Sequence, residues 1–132
     1  MPTNKKLWED IKEAGEIVGE GEKAEEYKLD FSEASLKRLD QMIIDLWGDD
    51  GPSKKSYDNL IWVFGSYIAL IVDKNFKGVW TKNSNNQEIW FGASKSGVKF
   101  SPYNWIAKKF EFGDSLESKY TAIADMIEKD KK

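Results

Sequence analysis

Cysteine and histidine are both absent from the 132 residues, and arginine occurs once, as Arg38. Without cysteine there is no disulfide framework, no thiolate nucleophile and no cysteine-type zinc site. Without histidine the chain lacks the commonest general base near neutral pH and the commonest metal ligand. A Ser/His/Asp triad is thereby excluded. Neither GxxxxGK[ST] nor GxGxxG occurs, so no phosphate-cradling loop is expected and no cofactor is assigned. A net charge of −3 with a single arginine lacks the basic footprint that phosphate backbones require, so no nucleic-acid partner is expected. The longest apolar run, Leu60 to Val72, would rise about 20 Å as a helix against about 30 Å of bilayer hydrocarbon. It is closed by Asp58 and Asp73, so no membrane partner is expected either. The opening MPTNKKLWEDIKEAG is too charged for a secretory leader, which makes the cytoplasm the expected compartment.

Apolar residues make up 40% of the chain, with six Trp, seven Phe and five Tyr, and this argues for a packed single domain. Charge is unevenly spread. Residues 1–30 hold nine acids against five lysines, whereas residues 76–113 hold six lysines against Glu88 and Glu111. The plain reading is a solvated helix face and a lysine-guarded sheet edge. The sharper one is an acidic arm that meets a basic protein.

Periodicity places the elements. Residues 4–18 form an amphipathic helix with Leu7, Ile11, Ala14 and Val18 on one face. Gly19 and Gly21 end or kink it, and Tyr27 and Leu29 lie in a short extended approach. Ser32 caps the next helix, with Phe31 and Leu36 as a hydrophobic staple. Leu36, Leu39, Ile43 and Leu46 make its inner stripe, widened by Met42 and Trp47, and Gly48 stops it. The following Asp49-Asp50-Gly51 has the look of an oxygen-ligand fragment, but it lacks the alternating ligands and later Glu of a calcium loop and reads as a turn.

Tyr57 to Phe76 is the segment around which the rest is organised. Leu60, Ile61, Phe64, Ile68 and Ile71 follow helical spacing, and Trp62, Val63, Tyr67, Leu70 and Val72 fill the circumference. A helix apolar on all sides and too short for a bilayer belongs in a core. Gly65 within it costs about 1 kcal/mol relative to Ala, which another element's close approach would offset. The period then changes from 3.6 to 2. Val79–Asn83, Gln87–Ala93 and Val98–Ser101 read as an antiparallel meander, its first turn using the left-handed tolerance of asparagine. Pro102 opens a short helix ended by Gly113. A last helix from about Ser115 turns Leu116, Tyr120, Ile123, Met126 and Ile127 inward. The fold class is α+β: a helical layer around a buried central helix, a three-stranded antiparallel β-meander and a C-terminal helix.

Three stretches, FSEASLKRLDQMIIDLW (31–47), FGSYIALIVDKNFKGVW (64–80) and SPYNWIAKKFEFGDSLESKY (101–120), resemble an uncharacterised bacterial domain family of unknown function. The resemblance runs over about residues 30–125. It implies a LxxLD helix, a G-x-Y helix, a G-x-W opening of a small sheet, and closing helices. Residues 1–29, an acidic helix and linker, stand outside it. The family brings no activity with it.

Candidate chemistry is sparse. Asp40, on the edge of an apolar stripe and near Trp47, could carry a raised pKa and serve as acid or base; the plain reading is a carboxylate hydrogen-bonded at the core margin. Ser66 lacks the glycine pattern of a nucleophile elbow. A Ser–Lys pair among Ser53, Ser56 and nearby lysines has nothing specific to mark it. Trp80, Trp90, Tyr103 and Trp105 cluster in and after the sheet, either as packing or as a stacking surface for a partner. The leading reading is a non-catalytic protein-binding module of immunity or antitoxin type. Its rival is a small-ligand sensor or enzyme with a pocket near Gly65 and Tyr67, using Asp40. A purely structural module of a larger assembly is the third.

Overall fold

The computed structural model describes residues 3–48 and 50–130, the side chains of 129 and 130 excepted. Asp49 of the expected turn and the end of the polar tail lie outside the described residues. Among the described residues six helices and three strands follow in the order α1 (Lys5–Val18), α2 (Gly21–Tyr27), α3 (Ser35–Trp47), α4 (Lys54–Asn75), β1 (Gly78–Lys82), β2 (Ile89–Ala93), β3 (Lys99–Phe100), α5 (Pro102–Phe112) and α6 (Leu116–Asp130).

The core surrounds α4. Phe64 to Ala69, Ile71 and Val72 are buried without a break except at half-buried Leu70, as an all-round apolar helix requires. Its N-terminal third is half-exposed or exposed. Two glycines set how closely neighbours approach. A Cβ on Gly65 would stand 2.3 Å from the Tyr103 ring, so α5 lies directly against α4 there. A Cβ on Gly15 would stand 2.7 Å from the Ser66 carbonyl oxygen, so α1 touches the α4 backbone itself. The N-terminal helix is therefore part of the core rather than an appended arm. It buries Ile11 and Ala14 against α4 and turns its acids outward.

Several expectations are corrected. Residues 21–27 form α2 instead of an extended approach; the helix buries only Ala24, too little to make a visible stripe. Helix α3 opens at Ser35, and Ser32 instead caps the preceding tight turn: Ser35 N–H lies 3.2 Å from Ser32 Oγ and 3.0 Å from its carbonyl. Phe31 takes a left-handed backbone (φ 64°), its N–H donates to the Tyr67 hydroxyl at 3.0 Å, and its ring covers Tyr67 at 4.9 Å. Leu46 and Met126 are exposed, not inward.

The sheet order is β1-β2-β3, antiparallel throughout. Trp80 pairs with Phe91 and Phe91 with Phe100, which lays an aromatic row across the inner face. Asparagines do serve the first turn, but as side-chain acceptors: Asn83 Oδ1 takes the Asn85 and Asn86 N–H groups, while Gln87 adopts the left-handed φ of 61°.

Candidate functional site

Asp40 sits where α3 meets the start of α6. Its Oδ1 accepts the Leu116 N–H at 2.8 Å, and its Oδ2 accepts the Glu117 N–H at 3.1 Å and the Ser115 hydroxyl at 3.2 Å. A carboxylate at a helix N-terminus satisfies orphan N–H groups and opposes the helix dipole. Asp40 thus caps α6 from a different helix. The Lys109 ammonium adds an ion pair at 3.2 Å. With all these donors, Asp40 is bound for structure, as the plain reading expects. Periodicity missed Lys109: it sits beside Lys108, and only the phase of α5 turns it inward.

Tyr67 has no solvent exposure. Its hydroxyl lies 2.7 Å from Ser35 Oγ and accepts the Phe31 N–H. Burial pushes its pKa above the ordinary value, partly opposed by the Ser35 hydrogen bond. Ser66 Oγ lies 2.8 Å from the Tyr103 hydroxyl, both buried. Burial also raises the Tyr103 pKa. The space beside Gly65 is filled by Tyr103, whose other side stacks on Trp62 at 5.8 Å. Neither Gly65 nor Tyr67 leaves room for a guest. Among the described residues no buried side-chain nitrogen or oxygen lacks a partner, so the interior presents no converging unsatisfied groups.

The aromatic cluster divides. Trp80 is buried with its indole N–H on Asp73 Oδ1 at 3.1 Å. Trp105 is buried and stacked on Phe100 at 5.2 Å, and Tyr103 packs as above. Rings used in this way cannot also stack on a partner. Trp90, half-buried on the outer sheet face, is the exception; its indole N–H meets Glu88 Oε2 at 3.1 Å.

What lies open is the outer face of α1. Glu9, Glu13 and Glu16, with Glu20 just past the helix end, are exposed and share a shallow groove with Lys12 and Ile17. Ile17 is 57% exposed, a large apolar residue in a groove otherwise lined by charged side chains. The acids were visible in the sequence; Ile17 was not singled out, because helical spacing alone left it one position from the buried stripe. Among the described residues, no three or more Asp or Glu gather to hold a metal ion, and no helix is long and apolar enough to cross a membrane.

Compared with known proteins, the chain matches no family model, no curated protein and no solved structure at a significant level.

Proposed function

We propose that the chain is a non-catalytic protein-binding module, acting in the cytoplasm in the manner of an immunity or antitoxin-like protein, and that it receives a basic partner on the outer face of α1. The observation that carries this reading is Ile17, left in water in a groove whose other lining residues are four glutamates and Lys12. An exposed apolar anchor inside a charged rim is the pattern of a docking surface: the anchor supplies affinity, the rim steers and selects. The glutamates would repel a phosphate backbone, so the reading names a protein and not a nucleic acid. Helix α1 rests directly on the α4 backbone at the Gly15–Ser66 crossing, so its outer face is already formed before association, which lowers the ordering cost.

The test is retention of a partner from a lysate of the source cell, followed by titration of the purified partner. Wild type should hold one protein, more weakly as salt rises. Ile17→Asp, and the double change Glu13→Lys with Glu16→Lys, should each weaken that binding at least tenfold while leaving the fold intact. Retention of nothing at any salt concentration, or equal binding by both variants, sinks the proposal.

A further inference from the structure

A second surface repeats the pattern of the α1 face with the opposite sign. Side chains alternate across a strand. With Trp80, Phe91 and Phe100 turned inward, the outer sheet face carries Val79 and Thr81 from β1, Trp90 and Gly92 from β2, and Lys99 from β3. Val79 and Trp90 are half-buried and form its apolar floor. Gly92 leaves a notch beside them: a Cβ there would meet nothing nearer than the Lys99 side chain at 3.8 Å. Exposed lysines stand around this end of the sheet. Lys99 lies opposite Gly92, and the Lys77 carbonyl accepts the Ser94 N–H at 2.9 Å, which brings Lys77 beside the turn that carries Lys95. Glu88 lies toward the other end, where it accepts from the Trp90 indole.

The outer face of α1 is the complement. Ile17 projects where Gly92 is hollow, and glutamates stand where the sheet has lysines. Among the described residues, neither these three lysines nor Glu9, Glu13, Glu16 and Glu20 belong to an ion pair, so both rims are free to pair. Within one molecule Ile17 and Gly92 are held apart. Helix α1 meets β1 at its start, where the Trp80 N–H donates to the Thr3 hydroxyl at 2.9 Å and Leu7 shares a recess with Val79. From Leu7 the helix runs about 15 Å further to Ile17. We infer that the outer sheet face of one copy of this chain receives the α1 face of a second copy, with Ile17 over Gly92 and the glutamates against Lys77, Lys95 and Lys99. The apolar anchor supplies the attachment and the charged rim fixes the register. Each copy carries both faces, so the contact either closes reciprocally as a dimer or continues as a chain. The inference rests on the α1 face of the proposed function and names one basic surface that fits it.

Sedimentation velocity of the purified full chain reads the contact. The wild-type coefficient should rise from micromolar to millimolar protein at low salt and fall back at high salt. Glu13→Lys with Glu16→Lys puts positive charge on both faces, and Lys95→Glu with Lys99→Glu puts negative charge on both. Each of these proteins alone should associate at least tenfold more weakly, and the two mixed should associate again. Gly92→Val fills the notch with a residue that suits a strand, its Cβ meeting no atom closer than 3.8 Å. It should keep the thermal unfolding midpoint and weaken association at least tenfold. A wild type that stays monomeric at millimolar concentration overturns the inference. So does association unmoved by both charge reversals or by Gly92→Val, and so do reversed variants that fail to recover when mixed. A monomeric wild type that still retains a basic protein through Ile17 overturns this inference alone; self-association with no other protein retained upholds it and sinks the wider reading.

Discussion

Lys109 and Asp40 form an ion pair, 3.2 Å apart, with their side chains only 4% and 13% exposed. Such a pair is poor evidence of net stabilisation, because removing both charges from water costs several kcal/mol per ion. Removing one partner is another matter. Asp40→Ala leaves the ammonium buried alone and uncaps α6, and should destabilise by about 3–5 kcal/mol. Lys109→Met should cost less, since the backbone N–H groups of Leu116 and Glu117 still satisfy Asp40. Urea unfolding of the two variants checks the order; equal losses, or a loss below about 1 kcal/mol for Asp40→Ala, contradict this account.

Gly15→Ala tests the α1–α4 crossing. On an isolated helix the change gains about 1 kcal/mol. Here the new Cβ meets the Ser66 backbone at 2.7 Å, which cannot rotate away, and overpacking typically costs about 1–3 kcal/mol. Net destabilisation is expected by thermal unfolding. Gly65→Ala meets the Tyr103 ring instead, so shortening that ring with Tyr103→Leu should rescue part of its loss. Absence of any rescue would show that the two positions do not oppose each other.

All five tyrosines titrate above their ordinary value, Tyr27 and Tyr120 pushed up to about 12. Burial is the main cause for Tyr120, and the Asp45 hydrogen bond for Tyr27. A pKa raised in the folded state means that the unfolded chain loses its protons first. Their contribution to stability is therefore complete below about pH 10 and is lost as pH rises towards 12. Tyrosinate absorbance should lag behind free tyrosine and then rise together with loss of the helical signal. Independent titration of all five at pH 10 with the fold intact would exclude this.

Tyr27 and Asp45 also join α2 to α3 through a 2.6 Å hydrogen bond. That bond is the first cause holding the Asp45 carboxyl below its ordinary value, with Gln41 second. A depressed carboxyl stabilises above its ordinary pKa and ceases to do so as pH falls through the lowered one. Tyr27→Phe should move the Asp45 titration upward, seen in its carboxyl carbon shift by NMR. An unmoved midpoint would assign the depression to Gln41 alone.

How much of this was readable in advance depended on how much apolar surface each segment buries. Helices α1, α3, α4 and α6 carry stripes long enough to show their period, but α3 opens three residues after Ser32 and α4 three residues before Tyr57, where residues 32–34 and 54–56 are mostly exposed and leave no stripe. Helix α2 does not, because Ala24 is its one buried residue. Trp80 and Trp90 could not be told apart until β1 and β2 were paired in register, since one step of register exchanges the faces. Asp40 showed its place at the core margin, but its ligands come from α5 and α6, distant in sequence and invisible to local spacing. Nor did Ile17 stand out, because an exposed apolar side chain reads like a buried one until its neighbours are known.

The crossing of Gly15 on Ser66 bears on how the chain comes off the ribosome. Helix α1 is synthesised before α4, and the surface it rests upon follows only after α2 and α3. During that interval its apolar stripe has no native seat and is open to non-native contacts.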